Sequence, residues 1–223
     1  MKRRTLSVTA ALTATTALLL TACGSEESKS TDSGRIASPE QSTTTAPKSA
    51  APSAAAAKLN PDGVDVSLPK DMNLVFDWTK PTNKNEAAAM DDAANYIRAI
   101  YQGVDKRTSD NAAVIAYSTG DGLHYAKTQI ASRVDGGWTA TGTRRHYKAT
   151  ARSASNGNSV EVAFCVDSSE FYSKEVKTGK VLMTKPSIAD FGYFKIIMVK
   201  YPTTEGLWQA SKVFVETKAE KCR

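Results

Sequence analysis

The sequence predicts an α+β domain, with helices gathered on one face of an antiparallel sheet. Three observations predict it. Apolar residues recur at helical spacing in two stretches: Met90, Ala93, Ala94, Ile97, Ile100 and Tyr101, then Leu123, Ala126, Ile130 and Val134. Farther along, Val160, Val162, Phe164 and Val166 alternate with Glu161, Ala163, Cys165 and Asp167, which is the period of a strand with two unlike faces. The helical stretches also come first, and the strand-like stretches follow with turn signals between them.

Each element has its own signal. Asn83 or Asn85 can cap a helix that runs to about residue 101, with Glu86, Asp91 and Asp92 toward its positive end and Gly103 as its stop. A short helical turn is expected at 112–117. Asp121 then opens a second long helix that Gly136-Gly137 ends. Residues 138–152, rich in Thr, Tyr and small side chains, read as the first long strand. Asn156-Gly157 signals a two-residue hairpin turn, because both residue types tolerate positive φ. The second strand is 159–167. Residues 174–181 read as a small excursion hairpin around Thr178-Gly179. The third and fourth long strands are 191–201 and 206–217, joined at Thr203-Thr204-Glu205-Gly206.

The N-terminal region carries different chemistry. Lys2, Arg3 and Arg4 precede residues 6–20, an apolar run interrupted by Ser7, Thr9, Thr13, Thr15 and Thr16. A bilayer span needs roughly 20 mostly apolar residues, so 1–22 reads as a signal peptide. It ends in Leu20-Thr21-Ala22-Cys23, which resembles the lipobox of bacterial lipoprotein precursors. The resemblance implies cleavage before Cys23 and a diacylglyceryl group on its sulfur. Two acyl chains at one residue anchor a protein stably. The expected partner is therefore the membrane, and the expected location is extracytoplasmic, on the outer face of the cytoplasmic membrane. Arg3-Arg4-Thr5-Leu6-Ser7 also fits twin-arginine export, so two export routes stay open.

Residues 23–58 comprise the lipidated cysteine and a Ser/Thr/Ala/Pro tether. The tether has no aromatics and almost no large aliphatics, so it cannot bury enough apolar surface to offset chain entropy. It reads as a disordered stalk that spans on the order of 30 Å for about 35 residues. A short helix at 54–59 is the alternative for its end. Residues 59–223 remain for a single α+β domain, long enough to bury a core.

Removing Lys2, Arg3 and Arg4 with residues 1–22 takes the formal charge from +6 to +3. So mild an excess argues against a dedicated nucleic-acid binder. Lipidation of Cys23 leaves Cys165 and Cys222, an even number in an oxidising compartment, and they are expected to pair. A loop of that length would contribute roughly 4 kcal/mol in the chain-entropy picture. Two buried free thiols are the alternative. No C-x-x-C motif is present to make a redox site.

Catalytic and metal signatures are sparse. His124 falls on a helix surface. Alternation along the first long strand puts Arg144, His146 and Lys148 on one face, and Arg145 and Tyr147 on the other. That face reads as a solvated surface. Its functional alternative is an anion-binding patch for wall polymers, phospholipid headgroups or an acidic protein. Gly120-Asp121-Gly122 lacks the rest of a dinucleotide fingerprint, and the two separated histidines leave no zinc set, so no cofactor and no metal are expected.

Several segments carry a family resemblance. They are Gly137-Trp138-Thr139-Ala140-Thr141-Gly142, Phe164-Cys165-Val166-Asp167, Lys177-Thr178-Gly179-Lys180-Val181, Leu207-Trp208-Gln209 and the terminal Cys222. In these the chain is similar to a group of actinobacterial lipoproteins. The element order resembles the cystatin-like, cone-shaped fold of the nuclear transport factor 2-like superfamily. That resemblance implies N-terminal helices on a curved antiparallel sheet of about four long strands, with a pocket inside. Enzymes of that superfamily use a pocket carboxylate as general base. No catalytic pair carries over from those enzymes residue by residue. The candidate here is Asp167, because it falls on the sheet, with Tyr147 as polar partner, and the alternative is that Asp167 caps the turn at Ser168-Ser169. The leading expectation is a non-catalytic, membrane-anchored module that binds a ligand or partner. The alternatives are a small-molecule isomerase, dehydratase or cyclase, and an envelope protein–protein interaction domain.

Overall fold

The computed structural model describes residues 63–223. The segments expected to be a signal peptide (1–22) and a lipidated cysteine with its tether (23–58), and the alternative of a short helix at 54–59, lie outside the described residues.

The described chain is α+β. A strand, β1 (Met72–Asp77), precedes three helices: α1 (Lys84–Asp105), α2 (Ala112–Tyr117) and α3 (Gly120–Asp135). The strands β2 (Trp138–Ser153), β3 (Ser159–Glu175), β4 (Val181–Leu182), β5 (Phe191–Lys200) and β6 (Trp208–Thr217) follow. The sheet order is β1-β2-β3-β5-β6, with β4 paired to the far end of β3.

The sheet is mixed, which corrects the antiparallel expectation. β1 runs parallel to β2, from Met72 opposite Gly142 to Asp77 opposite Tyr147. Its partner lies far along the sequence, so no local turn marks it. The other long pairings are antiparallel.

Asn83 caps α1, its side chain accepting from the amides of Asn85 and Glu86. The helix does not stop at Gly103. It continues to Asp105 because Val104 is buried and Gly103 packs tightly on α3. A Cβ at Gly103 would stand 2.5 Å from Ile130 Cδ1, so this glycine is required by close approach rather than by a helix end. α2 is capped by Asn111, and its C-terminal carbonyls are met from the sheet. Gln209 Nε2 donates to Ala116 O at 2.9 Å and Ile115 O at 3.2 Å.

The β2–β3 connection is longer than a two-residue turn. The last pair is Ser153 opposite Val160, and only Gly157 of the Asn-Gly pair adopts positive φ, at 67°. Asn156 instead accepts from the Asn158 amide through its side chain. β3 also runs well past Asp167 to Glu175 before reversing around Gly179 into β4.

The core lies between the helices and one face of the sheet. Val160, Val162, Phe164 and Val166 of β3 meet Met90, Ile97, Ile100 and Ile130 there. The opposite face carries a smaller cluster of Cys165, Cys222 and Ala219, flanked by Tyr147, Phe191 and Tyr193. Cys165 and Cys222 are at disulfide distance, with Cα atoms 5.3 Å apart and a sequence separation of 57. The chain end is thereby held against β3.

Candidate functional site

A half-open cavity of about 390 Å³ lies between α1, α3 and the sheet. It is lined by Ile97, Ile100 and Tyr101 of α1, Tyr125, Gln129 and Arg133 of α3, and Arg144, His146, Phe164, Val166, Phe194, Val215 and Thr217 of the strands. Its volume is in the range of small-molecule sites. Two facing stripes build it. Tyr125, Gln129 and Arg133 follow one another at four-residue steps along α3, while Ile97, Ile100 and Tyr101 share a face of α1.

Arg144 projects inward from β2. Its Nη1 donates to the Tyr101 hydroxyl. Its guanidinium lies 5.6 Å from the Tyr101 ring centre and 5.8 Å from that of Phe194. Arg133 lies over the same Tyr101 ring at 5.7 Å. Burial holds the Tyr125 hydroxyl above the usual phenol range, against the opposing pull of Arg144 and Arg133. No Asp or Glu lines this cavity among the described residues.

His146 also faces the core, which corrects the solvated-face expectation. It is 1% exposed. Its Nδ1 donates to Val75 O at 3.0 Å, so Nε2 carries the lone pair. Burial, aided by Arg144 and Arg98, pushes its pKa down to about 3, and the bond to Val75 only partly offsets this. The imidazole is therefore neutral and cannot serve in a cationic patch.

Lys148 does not join the other two. Between Tyr147 and Thr150, β2 carries one residue more than β3, and Lys148 takes φ 52° at this bulge. The bulge shifts the alternation, so that Ala149 and Ala151 pack inward while Lys148 is exposed. Its Nζ lies 5.7 Å from the Tyr147 ring centre, on the other face. The expected trio of Arg144, His146 and Lys148 is thus separated by one inserted residue.

The enzyme candidates fall outside the cavity. Asp167 lines a shallow crevice with Thr143, Arg145, Ser169 and Glu170, and its Oδ1 accepts from the Ser169 amide at 2.9 Å. The Tyr147 hydroxyl donates to Cys222 O, beside the Cys165–Cys222 pair. Its pKa is raised by desolvation and by Asp167. His124 is exposed on α3, as a surface position.

A second cavity, about 510 Å³, lies between α1 and the Phe76–Trp78 segment, with Asp91, Asp92, Asn95 and Arg98 on its helix side. Its polar groups bond mainly to one another. Asn95 donates to Asp92 and accepts from Arg98, and Asp92 Oδ2 accepts from the Trp208 amide at 2.8 Å. No group of three or more His, Cys, Asp or Glu side chains able to hold a metal occurs among the described residues. No helix among them is long and apolar enough to cross a membrane.

The site residues missing from the sequence reading are Tyr101, Tyr125, Gln129 and Arg133. The readable signal was the polar stripe at four-residue spacing beside the apolar face of α3.

No protein-family model matches the chain, and no curated protein matches it. Among solved structures, the intermembrane space region of the chloroplast protein ARC6 is similar in part, at 8% identity and a TM-score of 0.38. The match covers 59% of this chain and 96% of that one.

Proposed function

We propose that the chain is a membrane-anchored, extracytoplasmic lipoprotein whose folded domain binds a small ligand without transforming it. The cavity between α1, α3 and the sheet carries this reading. It joins an apolar wall to a group of polar side chains that the protein's own contacts do not use up, and Arg144 Nε has no protein partner. The likeness in element order to the nuclear transport factor 2-like cone, a pocket-forming fold, points the same way. Asp167 and Tyr147 stand away from the cavity, which favours binding over the isomerase, dehydratase or cyclase alternative.

The test is native mass spectrometry of the full chain purified from its host. A discrete non-covalent mass increment is expected in the parent and absent from Gln129→Trp, which fills the cavity from α3. A parent that carries no increment, or an increment that survives Gln129→Trp, contradicts the reading.

An envelope-protein docking role is the second reading. The excursion after β3 favours it, because Val181, Leu182 and Met183 are exposed there in sequence, Met183 by 76%.

A further inference from the structure

We propose that the α1–α3–sheet cavity takes an amphiphilic anion, with its oxyanion headgroup held by Arg133 and Arg144 and its apolar body laid against Ile97, Ile100, Val166 and Phe194. This rests on the cavity being the ligand site, and it assigns the ligand's chemical class.

Arg144 points inward from a central strand, where an unpaired cation is costly. Its visible compensation is a neutral hydroxyl, that of Tyr101, together with the faces of Tyr101, Phe171 and Phe194. Its Nε is buried without a protein partner. Arg133 makes no hydrogen bond and no ion pair among the described residues, and rests on the same Tyr101 ring. The seven ion pairs of the described residues involve neither arginine. Two fixed cations thus share one partly desolvated cavity with no carboxylate on its walls. Such a cavity attracts an anion and repels a cation. Guanidinium forks match carboxylate and phosphate oxygens, so either headgroup satisfies the same donors.

The remaining wall fixes the rest of the ligand. Ile97, Ile100, Val166 and Phe194 offer aliphatic and aromatic surface with no hydrogen-bonding side chain. A small hydrophilic anion such as acetate would leave that surface wet. An alkyl or ring body would cover it.

The experiment is calorimetric titration of the full chain carrying Cys23→Ala, which keeps its own acyl chains out of the assay. The probes are dodecanoate, dodecyl phosphate, dodecanol and dodecylammonium, each below its micelle concentration. Both anions are expected to bind at least about tenfold more tightly than dodecanol, the scale of a charge-assisted hydrogen bond, and dodecylammonium more weakly still. The ratio of the two anions identifies the preferred headgroup. Arg133→Gln and Arg144→Gln should each weaken anion binding by about tenfold and leave dodecanol unchanged. Circular dichroism checks each variant. If Arg144→Gln fails to fold, the partly exposed Arg133→Gln carries the test. Dodecanol binding as tightly as dodecanoate, with both variants silent, overturns the anion assignment and leaves the cavity as a ligand site. No binding of any probe overturns both.

Discussion

The imidazole of His146 stacks on the ring of Phe76, with 4.4 Å between centroids and 10° between planes. The Arg98 guanidinium also lies 4.4 Å from that ring, and Phe164 meets the imidazole at 5.8 Å. A histidine held this way behaves as an aromatic core residue with one hydrogen bond. Protonating it would put a third cation beside Arg98 and Arg144.

This gives stability a pH dependence of known sign. The folded pKa is about 3 and the ordinary value 6.5, so between them the unfolded chain binds a proton that the folded chain does not. Stability is full above 6.5 and falls on acidification, by up to about 1.4 kcal/mol per pH unit. Asp65 and Asp71 have pKa values lowered from 3.8, so their losses come at lower pH. Urea unfolding between pH 7 and about 4.5 should therefore show a slope that His146→Phe flattens. Equal slopes in parent and variant would contradict the assignment.

The Cys165–Cys222 pair should dominate the stability of the chain end. Cys222→Ser is expected to cost roughly 4 kcal/mol for a closed loop of 57 residues. Tyr147→Phe, which loses a bond to the Cys222 carbonyl, should cost about 1 kcal/mol. Denaturant melts measure both. Two reactive thiols in the denatured, unreduced protein would count against the pair.

Two helix glycines are set by packing. A Cβ at Gly122 would stand 2.1 Å from Ala210 O, and the Gly122 carbonyl accepts from the Tyr96 hydroxyl at 2.7 Å. Alanine favours helix by about 1 kcal/mol over glycine, yet Gly122→Ala should destabilise by more than about 2 kcal/mol, because backbone must move. Gly103→Ala should cost less, since its nearest neighbour is the rotatable Ile130 side chain and the closest backbone atom, Thr108 O, stands 2.9 Å away. Thermal unfolding orders the two, and a stabilised Gly122→Ala would refute the close approach.

Cys23→Ala is expected to abolish lipidation and move the protein out of the membrane fraction. Fractionation checks this. Retention in membranes at the parental level would contradict the lipoprotein reading.

Much of the architecture was legible because its signals are local. The Asn83 cap, the α2 turn, the alternation in β3 and the Thr178-Gly179 reversal each sit within a few residues of their cause. Three features were not legible. β1 pairs in parallel with a strand some 70 residues away, and no turn connects them. The bulge at Lys148 inserts one residue, which moves every later side chain of β2 to the other face and scatters the expected cationic trio. The cavity needs α1 and α3 side by side on one face of the sheet, so Arg133 and Arg144 meet only in three dimensions. An inward charge on a strand was the visible clue, and it read as a surface charge because nothing local distinguishes the two.

The proposed function stands on the cavity between α1, α3 and the sheet being a ligand site. A crystal structure of the chain purified from its own host tests this most directly. Density for a small molecule is expected in that cavity, with its polar end at Arg133 and Arg144. A cavity closed by the protein's own side chains, with both guanidinium groups paired to carboxylates, would contradict it.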